Sequence, residues 1–442
     1  MSRIACLWMP DMFLRAHLRL DPELAGRPLA LTDGRTGRGA VVAASASAAQ
    51  AGVVPGMTPT QARATCDTVI VRPVSADALA AAVSTMADVA STLSSRVEIG
   101  NGDQVFMDCE GSALLWDSES ELATVLGARV ARCGLPAWVG IADSKLGAAI
   151  AARESGGIRI ISPGRTRAFL APLPVARLDP DPESAVTLAS WGIRSIGDLA
   201  ALPCGAVAHR LGPAGAILVR RARGEDDTPL VGRHVPRAFN ESLALDYGVD
   251  RLEPLVFVLR RLLESVTDRI ELHGLGCREI EVRFELDGGG CDLRTIAAAA
   301  PTTEHKIFLA LMRMNLEQCP LAHSVTKISV VGVAAQRQPT QLDFLRPCGP
   351  APAALASTLA RLAVLCGPDR VGVLQRADSH RPGAVEVRRF EGEPAARRGD
   401  PRASSSTPER TPSGEVIVRM ALRAFRPPVP LEVFERAGHF DC

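Results

Sequence analysis

The chain has 442 residues, is 47% hydrophobic and 22% charged, and carries a formal net charge of +1. That length predicts about three domains with cores of real size. No run of about 18 apolar residues lacks charges, which excludes a helical membrane span, and the balanced charge leaves nucleic-acid binding to the distribution of the charges.

The amino terminus enters a strand at once, Ile4-Ala5-Cys6-Leu7-Trp8-Met9-Pro10-Asp11-Met12-Phe13, with no signal-peptide layout. The eleven cysteines form no CxxC and no paired spacing, the pattern of a reduced, cytoplasmic protein with buried thiols. Asp21 to Leu31 reads as a turn into a second apolar strand. Gly39 to Ala44 leads into an Ala-rich helix ending near Gly52, and Ala62-Arg63-Ala64 sits on another helix. A helix is predicted over 76–93. A hairpin over 97–99 and 104–108 turns at Gly100-Asn101-Gly102. A helix over 119–132, a strand over 137–141 and a helix over 144–153 follow. Residues 1–165 are therefore an α+β domain.

Residues 166–235 change to short helices broken by Pro and Gly. Residues 236–345 read as helix, strand, strand, helix, strand: helix 251–272, strands near 277–286, helix 302–313 and strand 325–334. Residues 346–392 form a further region. Residues 393–414 have almost no apolar content and read as a disordered linker before a last segment, 415–442. Of the 50 basic residues only Lys145, Lys306 and Lys327 are lysines.

Five stretches, in order, resemble the Y-family (translesion) DNA polymerases. They are Leu7 to Phe13; Pro22-Glu23-Leu24 with Arg27-Pro28; Gly52-Val53 and Gly56-Met57 with Ala62-Arg63; Asp103 to Asp108; and Val139 to Lys145. The resemblance implies palm and fingers over 1–165, a helix-hairpin-helix thumb over 166–235 and a little finger over 236–345. The nearer resemblance is to the ImuB type, a polymerase-like accessory subunit of a bacterial damage-induced mutasome. It rests on Leu7-Trp8-Met9-Pro10, Ile141-Ala142-Asp143, Asp378 to Pro382 and Ala421 to Pro428.

The family holds its metal ions with three carboxylates, at positions matching Trp8, Asp103 and Gln104. Two Mg²⁺ ions about 4 Å apart need several anionic oxygens, and here only Asp103 supplies one. Asp103 is either a weak single-cation ligand or a turn carboxylate beside Gly102. Asp11 follows Trp8 by three positions, an odd offset that on a strand points to the other face. The family's triphosphate grip matches Ala46 and Ala49, which cannot clamp phosphate. Its steric gate matches Phe13, expected here as core packing. Its phosphate-binding lysine matches Lys145, which either keeps a phosphate contact or is one cation among many.

DNA contacts are expected at the hairpin glycines Gly212 and Gly215, at Arg220 and Arg221, and on the little finger at Arg278, Arg283, Arg294, Lys306 and Lys327. The first hairpin, Leu178 to Glu183, is acidic and lacks the glycines. Gln341-Leu342-Asp343-Phe344-Leu345 resembles the peptide that binds the β sliding clamp: Gln for backbone bonds at a cleft, then large apolar side chains for its pocket. Ser379-His380-Arg381-Pro382 lacks an orienting acid and reads as a structural or partner-binding turn.

The reading is a Y-family fold that has lost most of its catalytic centre. It serves translesion synthesis and SOS mutagenesis as a scaffold for the clamp, DNA, an error-prone replicative polymerase and a RecA-like accessory protein, without a cofactor. The alternative is an active error-prone polymerase with a degraded Mg²⁺ site built on Asp103, Asp11 and Asp108.

Overall fold

The first strand, β1 (Ile4–Trp8), is apolar without alternation, and Ile4 to Leu7 are buried, as in a strand covered on both faces. The computed structural model describes residues 3–337 apart from 35–38, 112–114, 235 and 237, and beyond them parts of 358–388, 434–436 and 439–441. The chain divides into two units, Met1–Leu345 and Arg346–Cys442.

After β1 come α1 (Met12–Leu20), β2 (Leu29–Thr32), β3 (Val41–Ala44), α2 (Ala46–Gln50), α3 (Pro59–Thr65), β4 (Ile70–Pro73) and α4 (Ala76–Ser91). Next are β5 (Val97–Ile99), β6 (Gln104–Asp108), α5 (Glu119–Arg132), β7 (Trp138–Ala142), α6 (Lys145–Arg153) and β8 (Ile158–Ile160). The main sheet runs β5-β6-β1-β7-β8, with β1 antiparallel to both β6 and β7. Ile4, Cys6 and Phe106 face the alanines of α6. That helix sits so low on β7 that a Cβ on Gly140 would lie 2.2 Å from the Ala148 carbonyl oxygen. A second sheet, β3-β2-β4, carries α2 and α3.

The helical stretch holds α7 (Thr166–Leu170), α8 (Pro182–Ser190), α9 (Ile196–Ala201) and α10 (Cys204–Ala222) around Leu170, Leu188, Leu199 and Val219. In α10 the chain breaks at Gly212, whose φ of 68° suits only glycine, and restarts at Pro213.

Then follow β9 (Ala238–Val249), α11 (Leu252–Leu272), β10 (Leu275–Leu286), β11 (Cys291–Thr302), α12 (His305–Gln318) and β12 (Val325–Gln336). They make an antiparallel sheet, β11-β10-β12-β9, with α11 and α12 packed against it. This corrects the expected order. A strand precedes the first helix, the second strand lies at 291–302, and the second helix starts at His305. Asn240, Glu241, Asp246 and Gly248 give β9 poor strand propensity, and β11 is rich in alanine. Pairing with β12 and β10 holds them extended. The second unit shows two hairpins, β13 (Val373–Arg376) with β14 (Val385–Arg388) and β15 (Phe434–Arg436) with β16 (His439–Asp441). Residues 393–414 lie outside the described residues. Among the described residues no helix is long and apolar enough to cross a membrane.

A buried charge network joins the main sheet's helices to the four-stranded sheet. Asp88 of α4 has a fully buried side chain. It meets Arg233, Arg269 Nε at 2.9 Å and His273 Nε2 at 3.2 Å. Glu241 of β9, equally buried, takes Arg19 of α1 at 2.9 Å and Arg269 at 3.1 Å, with Ser265 at 3.0 Å. Burial alone would raise both carboxyl pKa values. His273, Arg269 and Arg233 outweigh it at Asp88, and Arg19, Arg269 and Ser265 at Glu241, so both end below the ordinary range.

Two depressed carboxyl pKa values give stability that is complete above the unfolded values, about 4, and lost as pH falls through the folded ones. Unfolding scans between pH 7 and pH 3 are expected to lose cooperativity below pH 4. Asp88→Asn leaves the Arg233 guanidinium without its counter-charge and Arg269 with Glu241 alone, and is expected to cost about 3–5 kcal/mol at pH 7, read as a shift in the urea midpoint. A wild-type-like midpoint would show that the network does not hold the sheets together.

Candidate functional site

Three cross-strand neighbours stand where the resemblance puts the metal centre. Trp8 pairs with Gln104 on β6 and with Trp138 on β7. The two indoles lie 5.1 Å apart at 58°, and Gln104 is buried. The row therefore presents aromatic and amide groups and no anionic oxygen.

Asp103 stands one residue before β6, after a turn that Gly102 makes with φ 73°. Its Oδ2 accepts a hydrogen bond from the Trp8 indole Nε1–H at 2.5 Å, and Arg153 of α6 lies 3.8 Å from Oδ1. The residue that replaces one carboxylate thus occupies the carboxylate that remains. Asp11 is not on a strand. β1 ends at Trp8, and Asp11 opens α1 with left-handed backbone, φ 53° and ψ 39°. The odd-offset argument does not apply, because the turn brings Asp11 to the cavity that Trp8 and Asp103 line. Asp108, at the far end of β6, is paired with Arg96 at 2.9 Å. Among the described residues no three His, Cys, Asp or Glu side chains are grouped to hold a metal ion. The donors present do not fit a two-metal centre.

Phe13 is a correction to the packing expectation. It is 41% exposed and lines the same cavity. Ala46 and Ala49 are exposed on the short helix α2 and offer no donor. Lys145 is engaged. Its ammonium lies 2.5 Å from Glu98 Oε1, 3.4 Å from the Pro229 carbonyl oxygen and 5.2 Å from the centre of the Phe106 ring. The other Glu98 oxygen accepts the Val231 N–H at 2.6 Å. Asp226 accepts the Leu146 N–H at 3.0 Å, which places an acid at the start of α6, where a helix favours anions. The chain's own carboxylates thus stand around Lys145 where phosphate would be expected.

The DNA candidates divide. Gly212 makes the kink of α10, but Gly215 is a packing glycine: a Cβ there would meet Leu211 at 2.6 Å. Arg220 is paired with Asp227 at 2.5 Å, and Arg221 lines the cleft that holds Lys145 and Asp226. Arg278, Arg283 and Lys306 are exposed. Arg294 lies between Asp292 and Asn315 of α12. Lys327 reaches Asp77 of α4 at 2.8 Å and Glu285 at 3.5 Å. These acids, Asp77 foremost, raise its pKa. Residues 341–345 and 379–382 lie outside the described residues.

Sequence reasoning missed Trp138, Glu98, Arg153 and Asp226. Trp138 is legible only through strand register. Asp226 comes from 80 residues away and carries no local signal.

Residues 7–153 match the model of the impB/mucB/samB family. The chain is 29% identical over 324 residues to Protein ImuB of Caulobacter vibrioides (strain NA1000 / CB15N), a match covering 72% of this chain and 70% of that protein. It is 30% identical over 342 residues to DNA polymerase IV 2 of Mesorhizobium japonicum, covering 75% and 80%. The solved DinB from Sulfolobus solfataricus is similar over 76% of this chain and 100% of that one, at 18% identity and a TM-score of 0.46. The chain belongs to the Y-family of DNA polymerases. Within that family its likeness is to the ImuB type, and its function is polymerase-like and connected with DNA damage.

Glu98→Gln leaves the Lys145 ammonium without its counter-charge and is expected to cost about 1–3 kcal/mol. Adding Lys145→Gln should return part of that loss. Urea midpoints of the four proteins check it: simple additivity would show that the two side chains are not coupled.

Proposed function

We propose that this protein is a non-catalytic, polymerase-like scaffold of DNA-damage tolerance, working in translesion synthesis and SOS mutagenesis in a reduced cytoplasm. The observation that carries the reading is the state of Asp103, whose carboxylate is held by Trp8 and Arg153 beside a row of Trp8, Gln104 and Trp138. A polymerase must hold two ions against a triphosphate. Here the anionic ligands are replaced and Lys145 is tied to Glu98. The role needs no cofactor and no bound Mg²⁺.

As a scaffold the chain would bind the β sliding clamp through Gln341, Leu342, Asp343, Phe344 and Leu345. It would hold DNA loosely, through the Gly212 turn and the basic side chains Arg221, Arg283 and Lys306. Contacts to phosphate alone make such binding fall steeply with salt. The region after residue 346 would recruit an error-prone replicative polymerase and a RecA-like accessory protein.

Primer extension with four deoxynucleotides and Mg²⁺ or Mn²⁺ is expected to show no synthesis by the wild type or by Asp103→Ala. Synthesis that vanished in Asp103→Ala would instead make the chain an enzyme with an unorthodox metal site. A peptide of residues 338–348 is expected to bind the clamp, and Gln341→Ala with Phe344→Ala to abolish binding in the peptide and the full chain. Unchanged binding by the double variant would remove the clamp from this reading.

A further inference from the structure

The cavity beside Trp8 has a volume of about 650 Å³, within the range of small-molecule sites. Its walls are apolar: Leu79 and Val83 of α4 and Ile99 of β5. Two aromatic side chains, Trp8 and Phe13, open onto it, and Phe13 is 41% exposed. Among the described residues, the only charged ones of its lining are Asp11 and Asp103. Arg153 meets Asp103 at 3.8 Å but does not line the cavity.

Asp11 is a second, separate sign of a built site. It is a non-glycine residue at φ 53°, a conformation that costs backbone energy, and it stands at the N-cap of α1 without its side chain capping the helix. Its side chain makes no cap bond, and its carboxylate stands at the exposed rim of the apolar cavity, at the start of α1. The surroundings reject a triphosphate, since two carboxylates line the space and no basic residue does. They do not favour a divalent metal, since among the described residues no three His, Cys, Asp or Glu side chains are grouped to hold one. A single positive charge carried on an apolar body fits these features: the Asp11 carboxylate for the charge, beside an Asp103 that Trp8 and Arg153 already hold, Trp8 and Phe13 for cation–π contact, and aliphatic walls for the stem.

We propose that this cavity binds an organic cation, a guanidinium or ammonium on an apolar or aromatic stem. The chemistry has two sources, an arginine or lysine side chain of a bound protein or a free amine. The site does not require clamp binding, and it rests on the scaffold reading only in the premise that this cavity takes no triphosphate.

The test is titration of the full chain by calorimetry with benzamidinium, its neutral isostere benzamide, benzoate, and dATP with Mg²⁺. Benzamidinium is expected to bind one-to-one, with the neutral and anionic probes at least about tenfold weaker. Asp11→Asn keeps a residue that tolerates left-handed backbone and is expected to weaken benzamidinium by about fivefold. Ser84→Phe, which fills the cavity from α4, is expected to abolish binding. N-acetyl-arginine N-methylamide separates the sources: tighter binding than benzamidinium supports a protein side chain, weaker binding a free amine. The proposal is overturned if benzoate or dATP binds as well as benzamidinium, if neither cation binds, or if Asp11→Asn leaves the affinity unchanged.

Discussion

A carboxylate taken out of water must be given a cation or hydrogen-bond donors, because an unpaired buried charge is far costlier than any contact it could replace. The first unit is organised around that requirement. Asp88 and Glu241 are fully buried and share Arg269, and Arg19 and Arg233 complete the pairing across α1, α4, β9 and α11. Asp143 is met by Arg3 at 2.7 Å and by the Gly164 N–H at 2.7 Å, which ties β7 to β1 and to the chain after β8. Arg19 with Glu241, and Asp88 with Arg233 and Arg269, join elements distant in sequence, so these pairs exist only in the assembled fold.

The same requirement explains the candidate site. A two-metal centre needs carboxylates whose charge the metal ions themselves neutralise. Here the protein neutralises its own. Trp8 and Arg153 hold Asp103, while Lys145 and the Val231 N–H hold Glu98. An indole in place of a carboxylate removes a ligand and adds a donor, so one substitution acts on the metal site twice. Gln104 completes the loss, since an amide paired within the sheet carries no charge. What remains is a space with apolar walls and a different electrostatic character.

Much of this was legible in the residues. The hairpin of 97–108, the helix of 119–132 and the Ala-rich helix after Ser144 follow from local pattern, turn chemistry and caps, and their observed limits lie within a residue or so of those read. The degenerate positions were visible too, since the identities Trp8, Gln104, Ala46 and Ala49 already forbid metal ligation or phosphate clamping. The strands β9 and β11 were not. Their side chains favour other states, and only the ladders to β12 and β10 make them extended. Asp11 was misplaced because β1 ends at Trp8 and the chain turns, so a strand's alternation no longer governs it, and Phe13, expected in the core, instead opens onto a cavity that α4 and β5 help to wall.

Residue identity alone therefore determined what the palm strands lack, because no arrangement of Trp8 and Gln104 yields two carboxylates. It also determined the α+β pattern, through periodicity and capping that act over a few residues. Only the tertiary structure decided what the remaining charges do. Lys145 meets Glu98, Lys327 meets Asp77, and Asp226 reaches the start of α6 across 47, 250 and 80 positions of chain. Ion pairing depends on distance in space, and no local pattern encodes a neighbour brought in by the packing of another element.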